Sequence, residues 1–106
     1  MPEQIIIAPE GELDLARLAE FRRQLFDVAR AEAGDVLVDL AEVSFIDSSA
    51  LSALFELQAR LRRLGRQLAV VAPRGSIVAV VLGLTGLQSR LQIYETREAA
   101  LEHSAD

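Results

Sequence analysis

Cysteine is absent from this chain of 106 residues, which excludes disulfides, thiol nucleophiles and cysteine metal sites and fits a reducing compartment such as the cytoplasm. Lysine is absent too: all 11 basic residues are arginine, a bias that points to no function by itself. Histidine occurs once, as His103 near the C-terminus, with no acidic residue at triad or ligand spacing, so a serine nucleophile lacks its usual proton acceptor. No G-x-S-x-G elbow, glycine-rich phosphate loop or dinucleotide fingerprint is present. No uninterrupted apolar stretch approaches the roughly 18 residues of a membrane span. The run Ile5-Ile6-Ile7-Ala8 lacks the basic flank of a signal peptide and stops at Pro9. The expectation is a non-enzymatic protein without metal, cofactor or membrane insertion.

What is present is one domain's worth of chain, long enough to bury a core unaided. The net charge of −5 argues against nucleic acid as a partner. Its distribution is uneven: residues 1–59 hold 4 arginines against 12 acids, and residues 60–106 hold 7 arginines against 4 acids.

Taken in order, Gln4 to Ala8 reads as a short strand buried on both faces, because three β-branched isoleucines leave no polar side. Glu10-Gly11-Glu12-Leu13 reads as a turn and Asp14 as the N-cap of a helix with the stripe Leu18, Phe21, Leu25 and Val28, stopped by Gly34. Val36 to Leu40 is a second strand, and Ala41 to Ile46 carries the chain to Asp47-Ser48-Ser49. A helix then runs from about Ser49 to Leu64, with Leu51, Leu54, Phe55, Leu61 and Leu64 inward and Arg60, Arg62 and Arg63 crowding its end. Leu68 to Ala72 is a third strand. Ile77 to Leu87 carries no charge, and Ser76 as cap with Gly83 and Gly86 predicts a short helix. Leu91 to Tyr94 is a fourth strand, Thr96 caps a last helix through Leu101, and Glu102 to Asp106 reads as a frayed tail. Strand and helix alternate four times, so the fold class is α/β with short parallel strands.

The most specific stretch is the apolar run ending on Asp47, Ser48 and Ser49, with helical apolar spacing starting at Leu51. It delivers two serines onto the first turn of a helix, where unpaired N–H groups and the dipole receive an anion. Taken alone, Ser48 and Ser49 are capping residues worth about 1 kcal/mol.

The run Asp39-Leu40-Ala41-Glu42-Val43-Ser44-Phe45-Ile46-Asp47-Ser48-Ser49-Ala50-Leu51 closely resembles the signature of STAS domains, specifically bacterial anti-sigma factor antagonists. Gly11-Glu12-Leu13-Asp14 resembles that family's turn after the first core strand, and Thr85-Gly86-Leu87 its Ser/Thr-Gly-Leu at the end of the third helix. The likeness covers about residues 4–101, within a single STAS domain spanning 1–106. It implies a small α/β fold with a mostly parallel four-stranded sheet and alternating helices packed on one face.

The resemblance also implies a mechanism. In such antagonists the first serine of Asp-Ser-Ser is phosphorylated by a cognate anti-sigma factor that is itself a GHKL-type serine kinase, and the unphosphorylated form binds that kinase and frees the sigma factor. By position, Ser48 is the acceptor, with Ser49 as runner-up, and Asp14, Asp47, Ser48, Ser49, Ala50 and Leu51 form the partner-binding surface. A phosphoryl group adds roughly −1.5 to −2 charge. A loss of about 2–4 kcal/mol at an interface weakens binding roughly 30- to 1,000-fold, enough to release a partner.

Three departures from the family pattern matter. The chain starts too late for the family's usual extra first strand, which leaves the edge of the Ile5–Ile7 strand exposed or free to pair in a homodimer. Ala50 replaces the usual glycine, and its methyl group is expected to narrow the approach to Ser48. The third helix is apolar all round, which marks Ile77, Val78, Val80, Val81 and Leu84 as an interface, homotypic or with another protein. The alternative reading is therefore an unphosphorylated STAS docking subunit of a membrane-associated transporter complex.

Overall fold

A computed structural model describes residues 4–30 and 34–105, with the side chains of 103–105 left aside. Four parallel strands form the main sheet in the order β1 (Ile5–Ile7), β3 (Val36–Asp39), β5 (Leu68–Val71), β6 (Gln92–Tyr94). The expected parallel four-stranded sheet is therefore present. Val36, Val38, Leu68 and Val70 alternate onto one face, and Leu37, Ala69 and Val71 onto the other, all 5% exposed or less.

Helices cover both faces. The first face receives α1 (Leu18–Arg30), α2 (Ser48–Arg63) and α3 (Ile77–Thr85) through Phe21, Leu25, Leu54, Leu57, Leu61, Val78 and Leu82. The helix α4 (Arg97–Ala105) lies on the opposite face and seats Ala100 against Leu37, Ala69 and Val71. Packing on a single face was thus expected wrongly for α4. The reason is that both sides of β3 and β5 are apolar, and neither can be left to water. Arg97 places both Nε and Nη2 3.0 Å from Asp39 Oδ2, which ties this helix to the end of β3. The same helix runs to Ala105, so the backbone expected to fray from Glu102 stays helical.

Two further strands lie where a turn and a connection were expected. Gly11–Leu13 is β2 and Val43–Ile46 is β4, and they pair in parallel as a separate two-stranded sheet. The glycine disguises β2: Gly11 takes φ 78°, and the register shifts between Gly11 and Glu12. A side chain there meets Arg17 Nη1 at 3.3 Å, and that same nitrogen donates to the carbonyls of Glu10 (2.6 Å) and Glu12 (2.9 Å). Leu13, 2% exposed, anchors the strand in the core.

Other expectations shift in detail. The Ile5–Ile7 strand is not buried on both faces, because β1 is an outer strand and Ile6 is 41% exposed. Leu64 lies past the end of α2 and is 57% exposed, while Leu57 takes a core position not assigned to it above. Arg66 is the buried charge among the described residues. It fills the space between α1 and the start of β5, donating to the carbonyls of Val28 (3.0 Å), Ala29 (3.1 Å) and Gly34 (2.7 Å). Those are acceptors at and beyond a helix C-terminus, where backbone carbonyls have no helical partner.

Candidate functional site

The two-stranded sheet exists to position one loop. Leu13 pairs with Ile46, and the Asp47 N–H donates to the Leu13 carbonyl at 3.3 Å, so the chain leaves β4 beside the chain leaving β2. Asp14 and Asp47 emerge together, each starting a helical segment: Asp14 before the 3-10 turn Leu15–Arg17, Asp47 before α2.

Asp47, not a serine, caps α2. Its backbone is extended, and Oδ1 accepts the Ala50 N–H at 3.1 Å and the Ser49 hydroxyl at 2.6 Å. The Ser49 hydroxyl bond, followed by the Ala50 N–H and the backbone N–H groups of Ser49 and Leu15, holds the Asp47 carboxyl below the usual 3.8. Part of the helix N-terminal donor set expected to receive an anion is therefore already engaged by a carboxylate of the chain itself.

Asp14 differs. Its side chain caps nothing, and its Oδ1 is buried without a hydrogen-bond partner among the described residues.

The two serines separate cleanly. Ser48 is exposed in the first position of α2 with no hydrogen bond from its hydroxyl among the described residues, whereas the Ser49 hydroxyl is half-buried and given to Asp47. Ala50 (1% exposed) and Leu51 (5%) turn into the core. The Ala50 methyl thus cannot narrow the approach to Ser48, because a side chain three positions into the helix on this face points inward. Ala50 therefore presents no open surface, whereas Leu51 contributes to the floor of the groove described next.

From Ser48 a groove of about 590 Å3 runs along α2, lined mainly by Leu51, Phe55, Thr85, Leu87 and Arg90. Its far wall is the turn after α3. Gly86 closes that helix in the left-handed conformation at φ 73°, the Thr85 hydroxyl donates to the Val81 carbonyl at 2.9 Å, and a 3-10 turn Leu87–Arg90 follows. Gln58 Nε2 donates to the Arg90 carbonyl at 2.9 Å, and the Arg90 guanidinium carbon stands 5.6 Å from the Phe55 ring centroid. Two of the three sequence motifs thus face one groove, and the third braces Asp47 from behind. Sequence reasoning placed Phe55 in the core and passed over Arg90. Nothing in the local pattern marks either as a groove residue, since α3 and its turn supply the opposite wall.

The third helix shows two faces. Val78 and Leu82 are buried (0% and 1%), so Val78 belongs to the core and not to the expected interface. Ile77, Val80 and Leu84 are 39%, 45% and 83% exposed, and Val81 is half-buried. No group of three or more potential metal ligands occurs among the described residues, and none of their helices is long and apolar enough to cross a membrane. The side chain of His103 lies outside the described ones.

A family model described as the STAS domain matches residues 2–100. Among solved structures, a candidate anti-sigma factor antagonist from Thermotoga maritima is 25% identical at a TM-score of 0.81, over 97% of this chain and 88% of that one. The anti-sigma factor antagonist SpoIIAA superposes in its unphosphorylated form at 0.72 (18% identity, 99% and 92% covered). The phosphorylated form of SpoIIAA from Bacillus superposes at 0.67 (20% identity, 98% and 93%). A sulfate transporter family protein from Wolinella succinogenes shares the fold at 0.78, with 18% identity over 96% and 84% of the two chains. No curated protein sequence matches the chain.

Proposed function

The chain belongs to the STAS domain family, and from that premise we propose that it is an anti-sigma factor antagonist switched by phosphorylation of Ser48. In its unphosphorylated form it binds a cognate anti-sigma factor, a GHKL-type serine kinase, in the bacterial cytoplasm and so frees a sigma factor. It acts as a binding module, with Ser48 acted upon by the partner.

The observation that carries this reading is the state of the Ser48 hydroxyl. It is exposed, without a hydrogen bond among the described residues and set at the mouth of an apolar groove, while its neighbour Ser49 is tied to Asp47. The antagonist assignment of the Thermotoga neighbour supports the same direction. The physics is local: a phosphoryl group on Ser48 adds charge next to Asp47, where a partner otherwise meets a neutral hydroxyl.

The test is phosphate incorporation from ATP by a candidate kinase, mapped by mass spectrometry. Incorporation is expected in wild type and in Ser49→Ala and lost in Ser48→Ala. A Ser48→Asp variant is expected to bind the kinase at least about 30-fold more weakly, the lower end of the range for an interface charge. Undiminished binding by Ser48→Asp rejects the switch.

One observation favours a second reading, an unphosphorylated docking subunit of a membrane-associated transporter complex. It is the row Ile77, Val80 and Leu84, uncharged and open on α3. A chain that no GHKL kinase phosphorylates and whose binding to a transporter subunit is lost in Leu84→Asp would belong there.

A further inference from the structure

We propose that Arg90 is an internal receptor for a phosphoryl group on Ser48, so that phosphorylation draws the guanidinium across the groove and shuts its apolar floor. The inference rests on Ser48 as the phosphoacceptor and concerns what the modified residue does next.

Ser48 and Arg90 line the same groove, and Arg90 is the one cation among its lining residues. No carboxylate pairs with it among the described residues. The ion pairs there join Arg22 to Glu56, Arg23 to Glu20 and Asp27, Arg30 to Asp27, Arg74 to Glu95 and Arg97 to Asp39. Glu56, the one acid on the groove wall, is thus held by Arg22 at 2.8 Å. Arg90 rests instead on the face of Phe55, an exposed cation–π contact and a weak hold compared with a bidentate guanidinium–phosphate pair.

The backbone of Arg90 is fixed to α2 by Gln58, so only its side chain needs to move. Phe55 follows Ser48 by seven residues, about 10 Å along the helix axis at 1.5 Å per residue. Seven residues are nearly two full turns, so Phe55 and Ser48 share one face of α2, and the ring, the guanidinium over it and Ser48 line one groove.

The other hydroxyls lining the groove, on Ser52 and Thr85, are neutral donors and weaker partners for a phosphoryl group than a guanidinium. The Ala50 N–H already serves Asp47, whose carboxylate adjoins Ser48 in sequence and repels the group. Repelled there and attracted toward Arg90, the group swings over the groove. The guanidinium then leaves Phe55 and bridges the mouth above Leu51 and Phe55. Release of a partner would combine added charge with loss of the apolar seat.

The experiment uses full-length chain carrying phosphoserine at position 48, installed during translation so that no kinase is needed. Phosphorus NMR titration is run on wild type, Arg90→Lys and Arg90→Gln, with aromatic carbon–proton spectra of Phe55 alongside. The expected result is a second phosphate pKa about one unit lower in wild type than in Arg90→Gln, with Arg90→Lys between them. The Phe55 ring signals should shift on phosphorylation in wild type and stay in place in Arg90→Gln. Equal phosphate pKa values in wild type and Arg90→Gln, or Phe55 shifts that survive Arg90→Gln, overturn the proposal. Amide spectra of the unphosphorylated variants, matching wild type away from residue 90, establish that each is folded. Because the phosphoserine is built in, this outcome is independent of whether a kinase modifies Ser48, which the incorporation assay decides separately.

Discussion

Ser49 donates its hydroxyl proton to Asp47 Oδ1 across 2.6 Å, and this bond separates the roles of two adjacent, chemically identical side chains. Ser49 becomes part of the scaffold that holds the start of α2. Ser48, one residue earlier, makes no hydroxyl hydrogen bond among the described residues.

That bond is the largest influence on the Asp47 carboxyl, so removing it has a measurable signature. Ser49→Ala should move the Asp47 carboxyl pKa upward toward the ordinary 3.8, and Ser48→Ala should leave it where it is. Carbon-detected carboxyl titration reads both. An unmoved Asp47 in Ser49→Ala would mean that the hydroxyl points elsewhere in solution.

The same depressed carboxyl makes stability depend on pH with a definite sign. Asp47 and Glu56 both lie below their ordinary values of 3.8 and 4.5 in the folded chain, Asp47 first through Ser49 and Glu56 first through Arg22. Each contributes stability that is complete above the unfolded value and is lost as pH falls through the lower folded value. Urea midpoints should therefore fall between about pH 6 and about pH 3, and Asp47→Asn should show a shallower fall than wild type. Equal slopes would remove Asp47 from the account.

Arg66 carries a heavier structural burden than its chemistry suggests. Replacing it with methionine keeps most of its bulk but strands the carbonyls of Val28, Ala29 and Gly34, at a cost of about 2–4 kcal/mol. Arg66→Lys should recover only part of this, because an ammonium cannot reproduce the planar fork of donors. Chemical denaturation of the two variants measures the difference. A loss under about 0.5 kcal/mol in the methionine variant, the size of an ordinary surface change, would count against the role.

Alternate sides of α3 should respond differently to substitution. Leu82→Ala removes a side chain that is 1% exposed and is expected to cost about 2–5 kcal/mol. Leu84→Asp, at a position 83% exposed, should stay within about 0.5 kcal/mol of wild type. If the open row on α3 joins two copies, wild-type sedimentation will depend on concentration and that of Leu84→Asp will not. A wild-type monomer at every concentration tested excludes the homotypic interface.

Much of this was legible along the chain because it depends on neighbours in sequence. Ser76 accepts the Ala79 N–H at 3.2 Å and Gly86 ends the same helix in the left-handed conformation, as the residue types alone require. The strands Val36–Asp39 and Leu68–Val71 announce themselves by runs without a polar side. The Asp47-Ser48-Ser49 helix start is of the same kind. Each is decided within a few residues, by capping, backbone freedom or periodicity.

What the chain order could not disclose depends on elements far apart in it. Gly11–Leu13 is a strand only because Val43–Ile46 arrives to pair with it, a relation between segments some thirty residues apart that no local pattern encodes. Which face of α4 is buried, and that Val78 faces inward while Val80 faces out, follow from what lies opposite. The groove is the clearest case: α2 provides Ser48 and Phe55, and the turn after α3 provides Leu87 and Arg90. Sequence alone determined that a serine would stand at the head of this helix. Tertiary structure decided which of two serines is free and what surrounds it, because hydrogen-bond partners and burial are properties of the folded neighbourhood.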